Sequence, residues 1–253
     1  MMTKVKTEAE LAAMRISGKM LASVLDYLRP HVQPGISTKE LADLAAAELK
    51  RLGGKPSFLG YEGFPDVICI SLNNEVVHGI PLASRIVADG DIVSLDFGVT
   101  YDDMVTDSAI SVIAGTSRKV HADLVARTKE SMEAGINTLH DKVKTGDIGA
   151  AVQSVLNRYK YGIVRDLVGH GVGHELHEEP NVPNYGRAGK GVTLDAGMTI
   201  AIEPMATLGT HKVWVARDGW TILTCDTSWS AHFEHTVLIT PDGFEVITHS
   251  NLP

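Results

Sequence analysis

Five polar residues, each set inside an apolar or glycine-rich run, limit the folds open to this chain: Asp96, Asp107, His170, Glu203 and Glu234. They stand in Ser94-Leu-Asp-Phe-Gly98, Val105-Thr-Asp-Ser-Ala109, Gly169-His-Gly-Val-Gly173, Ile200-Ala-Ile-Glu-Pro204 and Phe233-Glu-His-Thr-Val237. A carboxylate in a core is costly unless it is paired or bound to a metal. Four carboxylates converging in one core are nearly balanced by two divalent cations. That arithmetic points to a two-metal hydrolytic centre, in which a water shared between the ions is a nucleophile near neutral pH. Four carboxylates and one imidazole form a hard, oxygen-dominated set suited to Mn(II), Fe(II), Co(II) or weakly held Zn(II). A thiolate zinc site is excluded, because Cys69 and Cys225 are too few.

At 253 residues the chain is long enough for one large domain or two closely packed halves. Its net charge of −8 gives no basic footprint for nucleic acid or an anionic membrane. Two cysteines argue against a disulfide framework and fit a reducing compartment. The start, Met1-Met-Thr-Lys4, runs into an amphipathic pattern with no signal peptide, and no apolar stretch is long enough to cross a bilayer. A cytoplasmic location is expected.

The spacing predicts a helix capped by Thr7 with Glu10, carrying Leu11, Met14, Gly18, Leu21, Leu25 and Leu28 and stopped by Pro30. A second helix starts at Ser37 with Glu40, carries Leu41, Leu44, Leu49 and Leu52, and ends at Gly53-Gly54. A later pair is marked by Val120, Leu124, Met132, Ile136 and Leu139, then by Ile148, Val152, Val155, Leu156 and Tyr159. An offset of 111 residues aligns Val32-Gln-Pro-Gly35 with Val143-Lys-Thr-Gly146 and suggests an old duplication. The two halves, roughly 1–115 and 116–253, would then share one site at their seam.

Val93, Leu95 and Phe97 alternate with Ser94 and Asp96, so Asp96 faces away from the apolar side. Tyr101-Asp102-Asp103 reads as a turn, and residues 105–113 as the returning strand. A hairpin symmetric about that turn sets Asp96 directly opposite Asp107, with Cβ atoms roughly 5 Å apart. Further strands are predicted over residues 198–203, 213–215, 220–223, 233–239 and 244–247.

Taken singly, Asp96 or Asp107 reads as a turn or solvent-face carboxylate; together on one hairpin they read as ligands. Glu203 alone reads equally well as a strand-end charge. His78 and His177 read either as satisfied core histidines or as groups for carbonyl polarisation and proton transfer. His174-Glu-Leu-His177 lacks the four-residue spacing of the helical zinc signature, so His174 reads as an exposed loop residue. Cys69 has no activating partner in the sequence and reads as packing.

Read together and in order, seven segments resemble the type I methionine aminopeptidases of peptidase family M24. They are Asn73-Asn-Glu-Val-Val-His-Gly-Ile-Pro81, Ser94–Gly98, Thr106–Ala109, Gly169–Gly173, His177–Pro180, Thr199–Pro204 and Phe233–Thr236. The resemblance covers essentially the whole chain. It implies an α+β pita-bread fold, with two pseudo-symmetric halves of antiparallel sheet flanked by helices in a single catalytic domain, 1–253. It also implies that Asp96 holds one ion, Asp107 and Glu234 bridge two, and His170 and Glu203 complete the second. Glu203 would relay a proton from the attacking water, His177 would stabilise the oxyanion, and His78 would contact the scissile nitrogen. The methionine pocket would be walled by Tyr61, Phe64, Cys69, Leu176 and Trp220. Leu176 stands where phenylalanine is usual and Glu62 where histidine is common. The short span from His177 to Glu203 and the absence of a zinc-binding extension resemble the bacterial subtype.

The implied cofactors are two divalent ions (Co, Mn, Fe or Zn). The implied partners are N-terminal methionyl peptides with a small second residue and nascent polypeptides at the ribosome, with no nucleic acid and no membrane, acted on by a monomer. The rivals are a proline-directed aminopeptidase or prolidase of the same fold and a non-catalytic binding protein. An extra N-terminal domain is expected of the first and lost ligands of the second.

Overall fold

A computed structural model of the chain describes residues 2–249. Both anticipated capping boxes form. Thr7 caps α1 (Glu8–Leu28) and Ser37 caps α2 (Thr38–Leu52), each exchanging hydrogen bonds with the glutamate three residues on. Gly53, at φ +85°, ends α2 in the left-handed conformation that glycine adopts at little cost. The second pair is α3 (Lys119–Ile136) and α4 (Thr145–Arg158). Val120 and Tyr159, which the spacing puts on the buried stripes, are exposed, and Leu139 is buried just beyond the end of α3.

The strands are β1 (Lys55–Pro56), β2 (Cys69–Leu72), β3 (Glu75–Val77), β4 (Ile92–Tyr101), β5 (Met104–Ile113), β6 (Gly162–Ile163) and β7 (Gly169–Gly171). They continue as β8 (Glu178–Val182), β9 (Thr199–Ile202), β10 (Met205–Thr207), β11 (Val213–Val215), β12 (Ile222–Thr224), β13 (Ser230–His232), β14 (Glu234–Thr240) and β15 (Gly243–Val246). Nine of them form one antiparallel sheet in the order β1-β4-β5-β14-β9-β7-β8, with β2 added to β4 and β15 to β14. Strands from both halves of the chain therefore share this sheet, joined where β5 meets β14.

One face of the sheet is covered by helices. Val93, Leu95, Phe97, Ile200, Ile202, Val237 and Ile239 pack with Leu21, Leu28 and Leu41, and with Met132 and Ile148 from the second pair. Each fully buried aliphatic or aromatic side chain there contributes about 1.5–3 kcal/mol. Because side chains alternate along a strand, the intervening residues face the other side, and these include Asp96 and Asp107.

The register of the β4–β5 hairpin differs from the expected one. The β4–β5 turn is the two-residue loop Asp102-Asp103, both at positive φ, with Tyr101 opposite Met104. Asp96 therefore lies opposite Ala109 and Asp107 opposite Gly98, so the two carboxylates are diagonal neighbours. A shift of two residues leaves every side chain on its face, which is why the predicted convergence survives.

The repeat between the halves is also shorter than expected. Matching bridges join Ser37 to Ile86 in the first half and Lys144 to Thr193 in the second, which sets the offset at 107 residues rather than 111. Backbone hydrogen bonds repeat at the same spacing, Thr38 N to Arg85 O and Thr145 N to Val192 O. On this offset Leu41, Ala45 and Leu49 match Ile148, Val152 and Leu156, all buried. The difference is about one helical turn, so it keeps the apolar stripe in phase and leaves no mark in the periodicity.

The strands that escaped prediction (β1 to β3, β6 to β8, β10 and β13) are two to five residues long, too short for an alternating pattern to register. The ladder between β5 and β14 has two backbone pairs, Ala109 with Glu234 and Ser108 with His235. Beyond them the Thr236 hydroxyl continues it, accepting from Asp107 N at 2.9 Å and donating to Asp107 O at 2.8 Å. Thr236→Val strands both backbone groups of Asp107 in a buried setting. We expect chemical denaturation to show a loss of about 1–3 kcal/mol; unchanged stability would show that the hydroxyl does not hold this strand.

Candidate metal centre

Each of the five polar residues reaches the site from a different part of the sheet. Asp96 comes from β4, Asp107 from β5, His170 from β7 and Glu234 from the start of β14, while Glu203 follows the end of β9. Asp96, Asp107, His170 and Glu234 are buried. The glycines around His170 have a specific cause. A Cβ on Gly169 would sit 2.3 Å from the Ala201 carbonyl oxygen, and one on Gly171 would sit 2.7 Å from that of Glu179. The close approach those glycines allow is thus to neighbouring strands, and it carries the imidazole into the sheet.

Ligand atoms of Asp107, His170 and Glu234 all lie within 4.8 Å of one another. His170 Nε2 is 3.5 Å from Glu203 Oε1. His170 Nδ1 lies 2.8 Å from the Gly171 carbonyl oxygen and donates to it, which leaves Nε2 with its lone pair free. Asp96 Oδ1, Asp107 Oδ1 and Glu234 Oε1 are buried without hydrogen-bond partners. Burial raises the carboxyls of Asp96, Asp107, Glu203 and Glu234, and mutual repulsion raises the last three further. Unpartnered oxygens, one available imidazole nitrogen and crowded negative charge fit a divalent cation.

All twelve candidate site residues of the sequence line one cleft, together with Phe58 and Glu62. Its walls are apolar: Phe58, Phe64, Cys69 and Leu176 are buried in one cluster, with Tyr61 and Trp220 packed against it. Phe64 and Trp220 meet edge to face at 5.2 Å between ring centroids. Cys69 pairs across the sheet with Asp96, and burial, reinforced by the nearby carboxylates, pushes its thiol well up, so it stays protonated and acts in packing.

Neither His78 nor His177 is a core histidine. His177 is exposed in the cleft, its Nδ1 2.9 Å from the Tyr61 hydroxyl and its ring edge-on to His170 at 4.4 Å. His78 is half-buried at φ +59°, a left-handed conformation uncommon outside glycine. Burial, then the neighbouring His177, lowers His78 to about 4. His174 is exposed, as the sequence suggests, and bonds Glu10 at 2.8 Å. Sequence reasoning missed Phe58 as a wall residue and His232 beside Glu203 and Glu234. The alternation of His232 and Glu234 along one run is the signal that could have found the histidine.

The raised carboxyls set the pH response of the metal-free protein. A carboxyl whose folded pKa exceeds its unfolded value stabilises the fold at low pH, and that contribution is lost as pH rises through the folded pKa. His78 and His170, lowered to about 4 and 3, are neutral in both states above pH ~7.5 and add no slope there. We therefore expect saturating Mn(II) to raise the melting temperature above that in excess chelator by an amount that grows with pH, as the raised carboxyls give up their protons more readily. A Mn(II)-induced rise of the same size at every pH would contradict the charge crowding.

The sequence profile of metallopeptidase family M24 matches residues 12–241. A methionine aminopeptidase of Mycoplasma capricolum is 40% identical over 248 residues, 98% of each chain. The crystal structure of methionine aminopeptidase from Thermotoga maritima superposes with a TM-score of 0.97 at 41% identity, covering 98% of this chain and all of that one. The prolidase of Pyrococcus furiosus, at 20% identity and a TM-score of 0.78, shares the fold, and this chain spans 66% of it. With full-length relatives at this identity and an α+β pita-bread architecture, the chain belongs to metallopeptidase family M24, within its methionine aminopeptidase branch.

Proposed function

We propose that this chain, acting over 1–253 as one catalytic domain, removes methionine from the N-termini of peptides and nascent polypeptides, preferably before a small second residue. The observation that carries this reading is the floor of acidic and histidine ligands beneath an aromatic and aliphatic wall in a single cleft. Asp96, Asp107, His170, Glu203 and Glu234 would together hold divalent ions, and Co, Mn, Fe and Zn suit this set in that it is oxygen-rich. When bound, such ions supply Lewis acidity and bring a water toward ionisation near neutral pH.

The side chains do the rest. Glu203, beside His170 and lining the cleft, accepts the proton of the attacking water and passes it on. With the Tyr61 hydroxyl donating to Nδ1, His177 carries its proton on Nε2 and donates to the developing oxyanion. His78, neutral at working pH, contacts the scissile amide nitrogen and assists its departure. Tyr61, Phe64, Cys69, Leu176 and Trp220 enclose the methionine side chain, whose thioether makes favourable contacts with ring edges. Leu176 gives this wall a buried aliphatic side chain.

A reducing cytoplasmic setting fits the two free cysteines, and no helix among the described residues is long and apolar enough to cross a membrane. Chains emerging from the ribosome supply substrates of this kind, and a monomer suffices because the cleft is built from one chain.

Metal-loaded protein should release methionine from Met-Ala-Ser and leave x-Pro peptides intact; the reverse preference would favour the prolidase reading. Asp107→Ala should lower kcat/KM by at least ~10³-fold and reduce bound metal. His78→Ala should lower kcat by about 10²–10⁴-fold with metal content near that of the parent. Loss of metal from the His78 variant would make it a ligand instead.

A further inference from the structure

His232 has no part in the scheme above, yet its placement is unusual. It is 1% exposed, and neither Nδ1 nor Nε2 has a hydrogen-bond partner. Nε2 faces two of the carboxylates, at 3.7 Å from Glu203 Oε2 and 4.0 Å from Glu234 Oε2. The Glu203 carboxylate therefore lies between two imidazoles, with Oε1 toward His170 at 3.5 Å and Oε2 toward His232. His170, Glu203 and Glu234 line the cleft, whereas His232 does not. It stands behind the wall that they form.

Its backbone is fixed. His232 N donates to Ser111 Oγ at 2.9 Å, the same hydroxyl donates to His232 O at 2.9 Å, and β13 pairs His232 with Met205 of β10. Glutamate has a longer side chain than histidine, with one more torsion, so a small torsional change carries the Glu203 carboxylate toward this ring. A shift of roughly 0.8 Å brings the 3.7 Å separation within N–H···O range.

We propose that His232 is a positioning residue, whose Nε2–H holds Glu203 Oε2 from behind while Oε1 is presented to the cleft. Fixing one oxygen selects the orientation of the other, which serves both cation binding and proton acceptance by Glu203. Partners of this kind, one layer behind the ligands, change metal affinity or activity by about 10–100-fold. The inference rests on the metallopeptidase reading of the cleft.

The test compares the parent protein with His232→Leu and His232→Gln, by calorimetric titration of the chelated proteins with Co(II), visible absorption of the Co(II) forms, and kcat and KM on Met-Ala-Ser. Leucine removes the donor; glutamine returns an N–H that donates well but is a poor metal ligand. We expect the leucine variant to bind Co(II) at least ~10-fold more weakly and to lose kcat more than KM, with glutamine recovering most of both. Equal Co(II) affinity and kcat in the leucine variant and the parent would overturn the proposal. So would a glutamine variant as impaired as the leucine one with an altered Co(II) spectrum, because His232 would then be a ligand itself. If leucine prevents folding, the glutamine spectrum and affinity alone decide between these outcomes. A parent protein that takes up no Co(II) would instead defeat the metallopeptidase reading.

Discussion

Repulsion among four carboxylates on the face of one sheet that lies away from the helices is the constraint around which this molecule is built. Asp96, Asp107 and Glu234 are buried, and an oxygen of each lacks a partner. No lysine or arginine reaches them to compensate: the ion pairs at the site, among the described residues, are with His170 and His232. Such an arrangement is unfavourable to folding by itself and persists because the opposite face of the sheet is so thoroughly buried. Leu95, Phe97, Ile200, Ile202 and Val237 fix the strands against four helices, and alternation then forces the polar residues together on the other side.

The same constraint explains how the site is held. Asp107 is clasped at both backbone groups by Thr236, His170 rides on a strand pressed between two neighbours, and Ser111 grips His232 at its backbone. Each anchor sits on the backbone rather than the charged group. The carboxylate oxygens are thereby left for a cation, while their origins are fixed by the sheet.

Much of this is legible in the sequence, for physical reasons. Thr7 with Glu10 and Ser37 with Glu40 are local signals, and both helices start where those boxes stand. The convergence of Asp96 and Asp107 needs only parity, so a two-residue error in register does no harm. The repeat offset reads about one turn too long because apolar periodicity repeats with the helix. Short strands such as β7 and β10 are defined by their neighbours, and no local pattern announces them. Nothing in Ala231-His-Phe233 shows that both nitrogens of His232 lack partners; that is a property of packing.

The most direct measure of the central claim is the number of protons released when divalent cations bind. Burial and crowding raise the site's carboxyls, Asp96 to about 7, so below that pH Asp96 holds a proton in the metal-free protein that it must give up to a cation. Calorimetric titration with Mn(II) at pH ~6, repeated in buffers of different ionisation enthalpy, reads that number. Net proton release on binding is the predicted result, and binding with no exchange of protons, or no binding at all, would contradict the account.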